Sequence, residues 1–74
     1  MPKGALRWRM RNRIAMAREA RGMTQQQLAA LLGIARSTLA KWESDGSRPS
    51  DVMVGRLSQV LRCRPGQLFP YDFV

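Results

Sequence analysis

Residues 25–44, with the sequence QQQLAALLGIARSTLAKWES, constrain the fold more than any other stretch of the chain. Two short helices can cross steeply only if a small residue lies at their contact, a residue free to adopt positive φ forms the turn, and both inner faces are apolar. Ala29 and Gly33 meet the first two requirements. The apolar positions are Leu28, Leu32, Ile34, Leu39 and Trp42. The stretch predicts two helices joined by a tight turn, and an ordinary helical hairpin is the alternative.

Signals before this stretch predict a first helix over residues 12–22 and place the start of the second. Asn12 is a suitable cap for the first helix, and Gly22 suits its left-handed end. Thr24 and Gln27 form a capping box, which starts a helix over residues 25–32. The residues expected to face inward are Ile14, Ala17 and more weakly Met16 in the first helix, and Leu28, Ala29, Leu31 and Leu32 in the second.

Signals after the stretch predict the remaining helices. A third helix covers residues 36–44, and residues 44–49 form a turn by composition. Ser50 caps a fourth helix over residues 51–62, and Pro65 suits the first position of a short final helix. The expected fold is a compact all-α bundle of four or five helices over residues 12–69.

The net charge of +8 is concentrated near the N-terminus, where residues 1–21 carry seven Lys or Arg and one acid. A small, strongly basic domain indicates a polyanionic partner, most commonly nucleic acid, although a solvated cationic surface is the simpler alternative. The chain has no His, and Cys63 is its only cysteine, which excludes zinc fingers, His-based acid–base catalysis and an internal disulfide.

The acids show no paired-carboxylate spacing, and the chain has no glycine-rich phosphate loop. We therefore expect no enzymatic activity and no cofactor or metal. Because the thiol is unpaired and neither a signal peptide nor a membrane-spanning run is evident, a reducing cytoplasm is the expected compartment.

The outer face of the third helix is the candidate binding surface. At 3.6 residues per turn, Ser37, Ala40 and Lys41 point away from the apolar side, and Arg36 stands at the N-terminal end. Such a face can enter a DNA major groove about 12 Å wide without repulsion from phosphate. Arg36 and Lys41 can donate to guanine, Ser37 can pair with several base edges, and the Ala40 methyl group can touch thymine. A solvated surface charge is the alternative for each cation.

The chain resembles the lambda-repressor-like (XRE/Cro) helix-turn-helix family of bacterial and phage transcriptional regulators. The resemblance covers about residues 10–69 and rests on NRIAMARE, ARGMTQQQLAALLGIARSTLAKWE, the Pro49-Ser50 pair and LRCRPGQLF. It implies a four- or five-helix domain that binds a two-fold DNA operator as a homodimer. It also implies base contacts from Arg36, Ser37 and Lys41.

The resemblance further implies phosphate contacts and one structural ion pair. Gln25 would hold a phosphate at the start of the second helix, a role that the free N–H groups of a helix N-terminus also favour. Arg18 and Glu43 match a family pair that joins the first and third helices. With Thr38 added, the predicted phosphate-contacting residues are Gln25, Gln26, Thr38, Ser47 and Arg48.

Two positions depart from the family pattern. Ala35 stands where the family usually has a capping Ser or Thr, so the third helix loses about 1 kcal/mol of capping energy. Asp45 stands where a glycine usually follows the third helix, and Gly46 comes one residue later. We expect this change to shift the turn and to make phosphate contacts from Ser47 and Arg48 less favourable.

Residues 1–11 form a basic arm, and residues 70–74 form an apolar tail. Leu6, Trp8 and Met10 alternate with arginines, as in a half-buried strand, but Leu6, Met10 and Ile14 also form a helical stripe. We hypothesise a small sheet between the arm and the tail, within one chain or between two. The arginines would reach phosphate or the minor groove, or would only add long-range attraction.

The leading interpretation is a sequence-specific regulator of double-stranded DNA, most simply a repressor, that acts as a homodimer. The alternative is an antitoxin that binds a toxin and autoregulates its operon, although the few residues after Phe69 argue against a toxin-binding segment. A cationic membrane-surface peptide is a third class, and the marked helix caps and the apolar core disfavour it.

Overall fold

A computed structural model describes residues 12–70, which form five helices and no strand. The all-α prediction is confirmed, and the helix count is the larger of the two expected. The basic arm at 1–11, the tail residues 71–74 and the sheet hypothesised between them lie outside the described residues. The helices are α1 (Ile14–Ala20), α2 (Gln25–Leu32), α3 (Arg36–Glu43), α4 (Asp51–Leu61) and α5 (Pro65–Leu68).

One apolar core joins all five helices. The α2 helix packs against α3 and α4, α1 packs against α3, and α5 packs against α4. Every helix contributes at least one buried residue, and Phe69 closes the core after α5. The core residues are Ile14, Leu28, Ala29, Leu32, Leu39, Trp42, Val54, Leu57, Leu61, Leu68 and Phe69. No helix within residues 12–70 has both the length and the apolar character needed to cross a membrane.

The predicted helix starts are confirmed at α2, α4 and α5. Thr24 and Gln27 form the complete capping box, with each side chain bonded to the other residue's backbone N–H. The Ser50 side chain accepts a hydrogen bond from the Met53 N–H group, and Pro65 occupies the first turn of α5. These helix starts are predictable from the sequence because the residues that form each cap lie within three positions of one another.

The left-handed glycines predicted after α1 and α2 are confirmed. Gly22 and Gly33 both have positive φ, at 69° and 70°. After α2, the N–H of Ile34 donates to Ala29 (3.0 Å) and that of Gly33 donates to Ala30 (3.2 Å). This pair of bonds is the Schellman motif, which satisfies the last carbonyl groups of a helix and turns the chain sharply. The turn between α2 and α3 is therefore set by Gly33.

The predicted extent of the first helix and two predicted inward positions were wrong. The first helix runs only from Ile14 to Ala20, within the predicted 12–22. Leu31 is 58% exposed and Met16 is 62% exposed, whereas Leu28 and Leu32 are buried. Residues at i and i+3 share a helix face only approximately. In α2 the three positions Leu28, Ala29 and Leu32 fill the contact with the core, which leaves Leu31 at the solvent edge.

The turn after α3 also differs from the prediction, because it is not shifted towards Gly46. Asp45 itself adopts the left-handed conformation, at φ 62°, and Gly46 does not have positive φ. The N–H of Gly46 donates to Lys41 (2.7 Å) and that of Asp45 donates to Trp42 (3.1 Å), again a Schellman motif. Asp tolerates this conformation better than most residues, so the helix ends as it would with glycine there.

Candidate nucleic-acid interface

The α3 helix divides into a buried face and a face open to solvent. Leu39, Trp42 and Glu43 are buried and attach the helix to the core. At 100° per residue, the four predicted base-contacting residues fall within an arc of about 140° on the other side. Of these, Arg36, Ser37 and Lys41 are exposed and Ala40 is half-buried. The structure thus brings all four onto one surface, and within α3 that surface carries no carboxylate.

The N-terminal end of α3 has no side-chain cap, in agreement with the prediction from Ala35. Ala35 has the extended backbone of a capping residue, with φ −70° and ψ 145°, but no side-chain hydrogen bond. Its carbonyl accepts from the N–H groups of Thr38 (3.1 Å) and Leu39 (3.2 Å). Thr38 is half-buried and lies beside the exposed arc. The first N–H groups of α3 are therefore not bonded by the side chain of Ala35 and stand next to Arg36.

The C-terminal end of α3 is held by Asn12 from the segment before α1. The Nδ2 group of Asn12 donates to the Trp42 carbonyl (2.6 Å) and to Asp45 Oδ1 (2.7 Å). The N-cap position of α1 is Arg13 rather than the predicted Asn12, but Asn12 Oδ1, one residue earlier, accepts from the Ile14 N–H group (3.0 Å). A single side chain thus joins the start of α1 to the last turn of α3, and Asp45 is engaged within the domain.

The structure contains the ion pair between Arg18 and Glu43. Arg18 Nε donates to Glu43 Oε2 (2.8 Å), and Nη2 donates to Oε1 (3.3 Å). Both side chains are nearly inaccessible, at 11% and 7% exposure. The hydrogen bond to Glu43 is the main cause that raises the pKa of Arg18, with smaller contributions from the charges of Glu43 and Glu19, while burial acts in the opposite direction. Arg18 is thus paired inside the domain and withdrawn from its outer surface.

Glu43 also binds Gln25, one of the predicted phosphate-contacting residues. Gln25 Nε2 donates to Glu43 Oε1 (2.9 Å), and the side chain is half-buried. The neighbouring Gln26 is exposed. The N-terminal end of α2 therefore presents one glutamine fixed to the domain and one open to solvent.

Ser47 and Arg48, the predicted loop contacts, are both exposed after the turn that follows α3. The Arg48 guanidinium lies over the ring of Phe69, with 4.9 Å between Cζ and the ring centroid. A guanidinium stacked on an aromatic ring presents its N–H donors in its own plane rather than through its face. Phe69 thereby fixes the orientation of a cation close to the C-terminal end of α3.

Sequence reasoning missed the contribution of Asn12 and Phe69 to this surface. Asn12 was interpretable as a cap, because Ile14 is two positions away. Its partner Asp45 is 33 positions away, and Arg48 is 21 positions from Phe69. No local pattern could have indicated either contact.

Comparison with known proteins agrees with this geometry. The helix-turn-helix family profile matches residues 14–68. The chain belongs to the lambda-repressor-like helix-turn-helix family. It is 35% identical over 63 residues to an uncharacterised HTH-type transcriptional regulator of Archaeoglobus fulgidus, and the alignment covers 85% of this chain and 90% of that one.

Membership of the family establishes the general function. Helix-turn-helix regulators of this family act by binding DNA, and they are typically not enzymes. The matched range includes the whole of α2, the turn and α3. The second helix of the matched motif is α3.

Proposed function

We propose that this protein is a sequence-specific repressor that binds double-stranded DNA as a homodimer, with α3 in the major groove of each half-site. The observation that carries the proposal is the exposed arc of α3, which presents Arg36 and Lys41 together with Ser37 and Ala40. The buried contacts of Leu39 and Trp42 fix this arc relative to the core. A surface of donors, a methyl group and no acid suits the major groove.

The chemistry of the arc indicates which bases it reads. Arg36 and Lys41 are donors only, which favours the O6 and N7 acceptors of guanine. Ser37 can donate or accept, and the Ala40 methyl group suits the methyl group of thymine. Because Arg36 and Lys41 are five residues apart, their backbones are separated by about 7.5 Å along the helix axis. This length corresponds to about two base-pair steps at 3.4 Å each, so each half-site should contain two nearby guanines.

Phosphate contacts would fix the domain on the duplex. Gln25 and Gln26 stand at the N-terminal end of α2, where free N–H groups and the helix dipole favour an anion. Ser47 and Arg48 follow α3, and Thr38 lies at the edge of its exposed arc. These groups lie before, within and after α3, so they can contact the DNA phosphates on both sides of the major groove. Such contacts position a protein without reading sequence.

A homodimer would place two copies of α3 in successive turns of the same groove, about 34 Å apart. An operator occupied in this way blocks transcription without any further contact to the polymerase, which makes repression the simplest regulatory outcome. The net charge of +8 would draw the protein to DNA at long range. The reducing cytoplasm, where its DNA would lie, also suits the free thiol of Cys63.

Selection of bound sequences from a random double-stranded DNA library, at two salt concentrations, tests this function. We expect an inverted repeat with half-site centres one helical turn apart and guanines in each half-site. A single half-site with no repeat would contradict only the proposed dimer and not sequence-specific binding. A steep salt dependence without any consensus would contradict sequence-specific binding, since phosphate contacts alone produce that behaviour.

A further inference from the structure

Glu43 lies at the point where three helices meet. It belongs to α3, is only 6% exposed, and receives hydrogen bonds from Arg18 of α1 and Gln25 of α2. The ion pair with Arg18 gives this buried carboxylate a partner of opposite charge. The bond from Gln25 is a separate feature, because it joins a half-buried amide at the surface to a charge in the interior.

This bond determines which way the Gln25 amide points. A carboxylate can only accept hydrogen bonds, so the NH₂ group of Gln25, rather than its carbonyl oxygen, must face Glu43. One N–H bond is used at 2.9 Å. The second N–H bond of the same planar group points in a different direction, and a phosphate oxygen is an acceptor that can use it. A freely rotating glutamine would also present its carbonyl oxygen, which phosphate repels.

Arg18 makes this arrangement compatible with a nearby phosphate. It pairs with both oxygens of Glu43, at 2.8 and 3.3 Å, and so offsets the negative charge. Its Nη1 group also donates to the Met23 carbonyl (2.7 Å), two residues before α2 begins. The backbone that leads into α2 and the Gln25 side chain are thus held by one buried pair.

We propose that Glu43 is a positioning residue for phosphate binding: its carboxylate orients the Gln25 amide so that an N–H donor faces the DNA backbone. Because Glu43 is part of α3, the same contact keeps the phosphate anchor on α2 in register with the base-reading surface. The proposal rests on the phosphate role of Gln25 given above.

A double-mutant cycle tests the proposal, with affinity measured on a random-sequence duplex at fixed salt. We expect Gln25→Ala and Glu43→Gln each to weaken binding about 10- to 100-fold, as loss of one hydrogen bond to a charged group does. The double variant should be no weaker than Gln25→Ala alone, since contacts in one network are not additive. The matched control is Gln26→Ala, whose effect should combine additively with that of Glu43→Gln.

The possible outcomes separate the two ideas. If Gln25→Ala leaves affinity unchanged, both the phosphate role of Gln25 and the positioning proposal fail. If Glu43→Gln weakens the Gln25→Ala variant as much as it weakens the native protein, the positioning proposal fails and the phosphate role stands.

Nuclear magnetic resonance of the native protein gives a second measurement if Glu43→Gln does not fold. One Gln25 side-chain proton should exchange with solvent more slowly than those of Gln26, and the other should shift when the duplex is added. Equal exchange of the Gln25 and Gln26 side-chain protons would overturn the proposal.

Discussion

Asn12 donates to the backbone carbonyl of Trp42 across 2.6 Å and so ties the segment before α1 to the last turn of α3. The same amide donates to Asp45 (2.7 Å) and accepts from Ile14 (3.0 Å). Each atom of the amide group thus has a separate structural role. The oxygen starts α1, and the nitrogen holds the end of the helix that we propose enters the major groove.

Replacing Asn12 should separate these two roles. Asn12→Ala removes all three bonds, and we expect the free energy of unfolding to fall by about 1–3 kcal/mol. Asn12→Asp keeps an acceptor for Ile14 but cannot donate to Trp42 and adds a charge beside Asp45. Urea denaturation should therefore place Asn12→Asp close to Asn12→Ala. If Asn12→Asp were as stable as the native protein, only the bond from Ile14 would matter.

The helix ends illustrate what the sequence could predict and what it could not. Gly22 and Gly33 were readable as left-handed residues because glycine alone adopts positive φ without a steric cost. Asp45 and Arg62 adopt the same conformation, at φ 62° and 53°, and their side chains give weak or no indication of it. At these two positions the residue type alone does not indicate the backbone conformation.

Arg62 therefore carries a local cost that glycine would remove. A non-glycine residue in the left-handed conformation costs about 1–2 kcal/mol. Glycine removes this strain, but part of the gain is lost because glycine makes the unfolded chain more flexible. We expect Arg62→Gly to raise the free energy of unfolding by about 0.5–1 kcal/mol. Arg56→Gly removes the same charge from the interior of α4 and should lower it by about 1 kcal/mol. Equal changes for the two variants in chemical denaturation would contradict this account.

Two adjacent leucines of α2 differ in burial, and substitution of each one tests this difference. Leu32 is 1% exposed and Leu31 is 58% exposed. Leu32→Ala should lower the free energy of unfolding by about 2–5 kcal/mol, because it leaves a cavity in the core. Leu31→Ala should change it by no more than about 0.5 kcal/mol. A large loss for Leu31→Ala in the isolated protein would mean that this side chain is buried after all.

Periodicity alone could not distinguish these leucines, because both lie on the broad apolar side of α2. The capping box, the turn glycine and the buried face of α3 were predictable, since each depends on residues close in sequence. The hydrogen bonds from Asn12 to α3 and from Gln25 to Glu43, and the contact of Arg48 with Phe69, were not, since they join segments that only the folded chain brings together.

Ala35 offers a stabilising substitution at the start of α3. Its backbone already has the extended conformation of a capping residue, and the side chain is exposed. Ala35→Ser adds a hydroxyl that can accept from a free N–H group of the first turn, and we expect a gain of about 1 kcal/mol. Ala35→Val adds bulk but no acceptor and should give no gain. Chemical denaturation of both variants would show whether the missing cap is a real cost.

Arg36 provides the most direct test of base reading by α3. If its guanidinium contacts a guanine, Arg36→Ala should cost about 1–3 kcal/mol on the selected operator and relax the base preference at one position. On random duplex DNA the loss should be much smaller, because only one charge is removed from the long-range attraction. Repeating the library selection with the variant would identify the position that relaxes.

Arg56→Ala is the matched control for Arg36→Ala, because Arg56 is also exposed but lies on α4. Both variants lower the net charge equally, so they should lose similar affinity for random DNA. Only Arg36→Ala should lose discrimination between the operator and random sequence. If the two variants had the same ratio of specific to non-specific affinity, Arg36 would be a phosphate or solvent-facing cation. Base reading would then depend on Ser37 and Lys41.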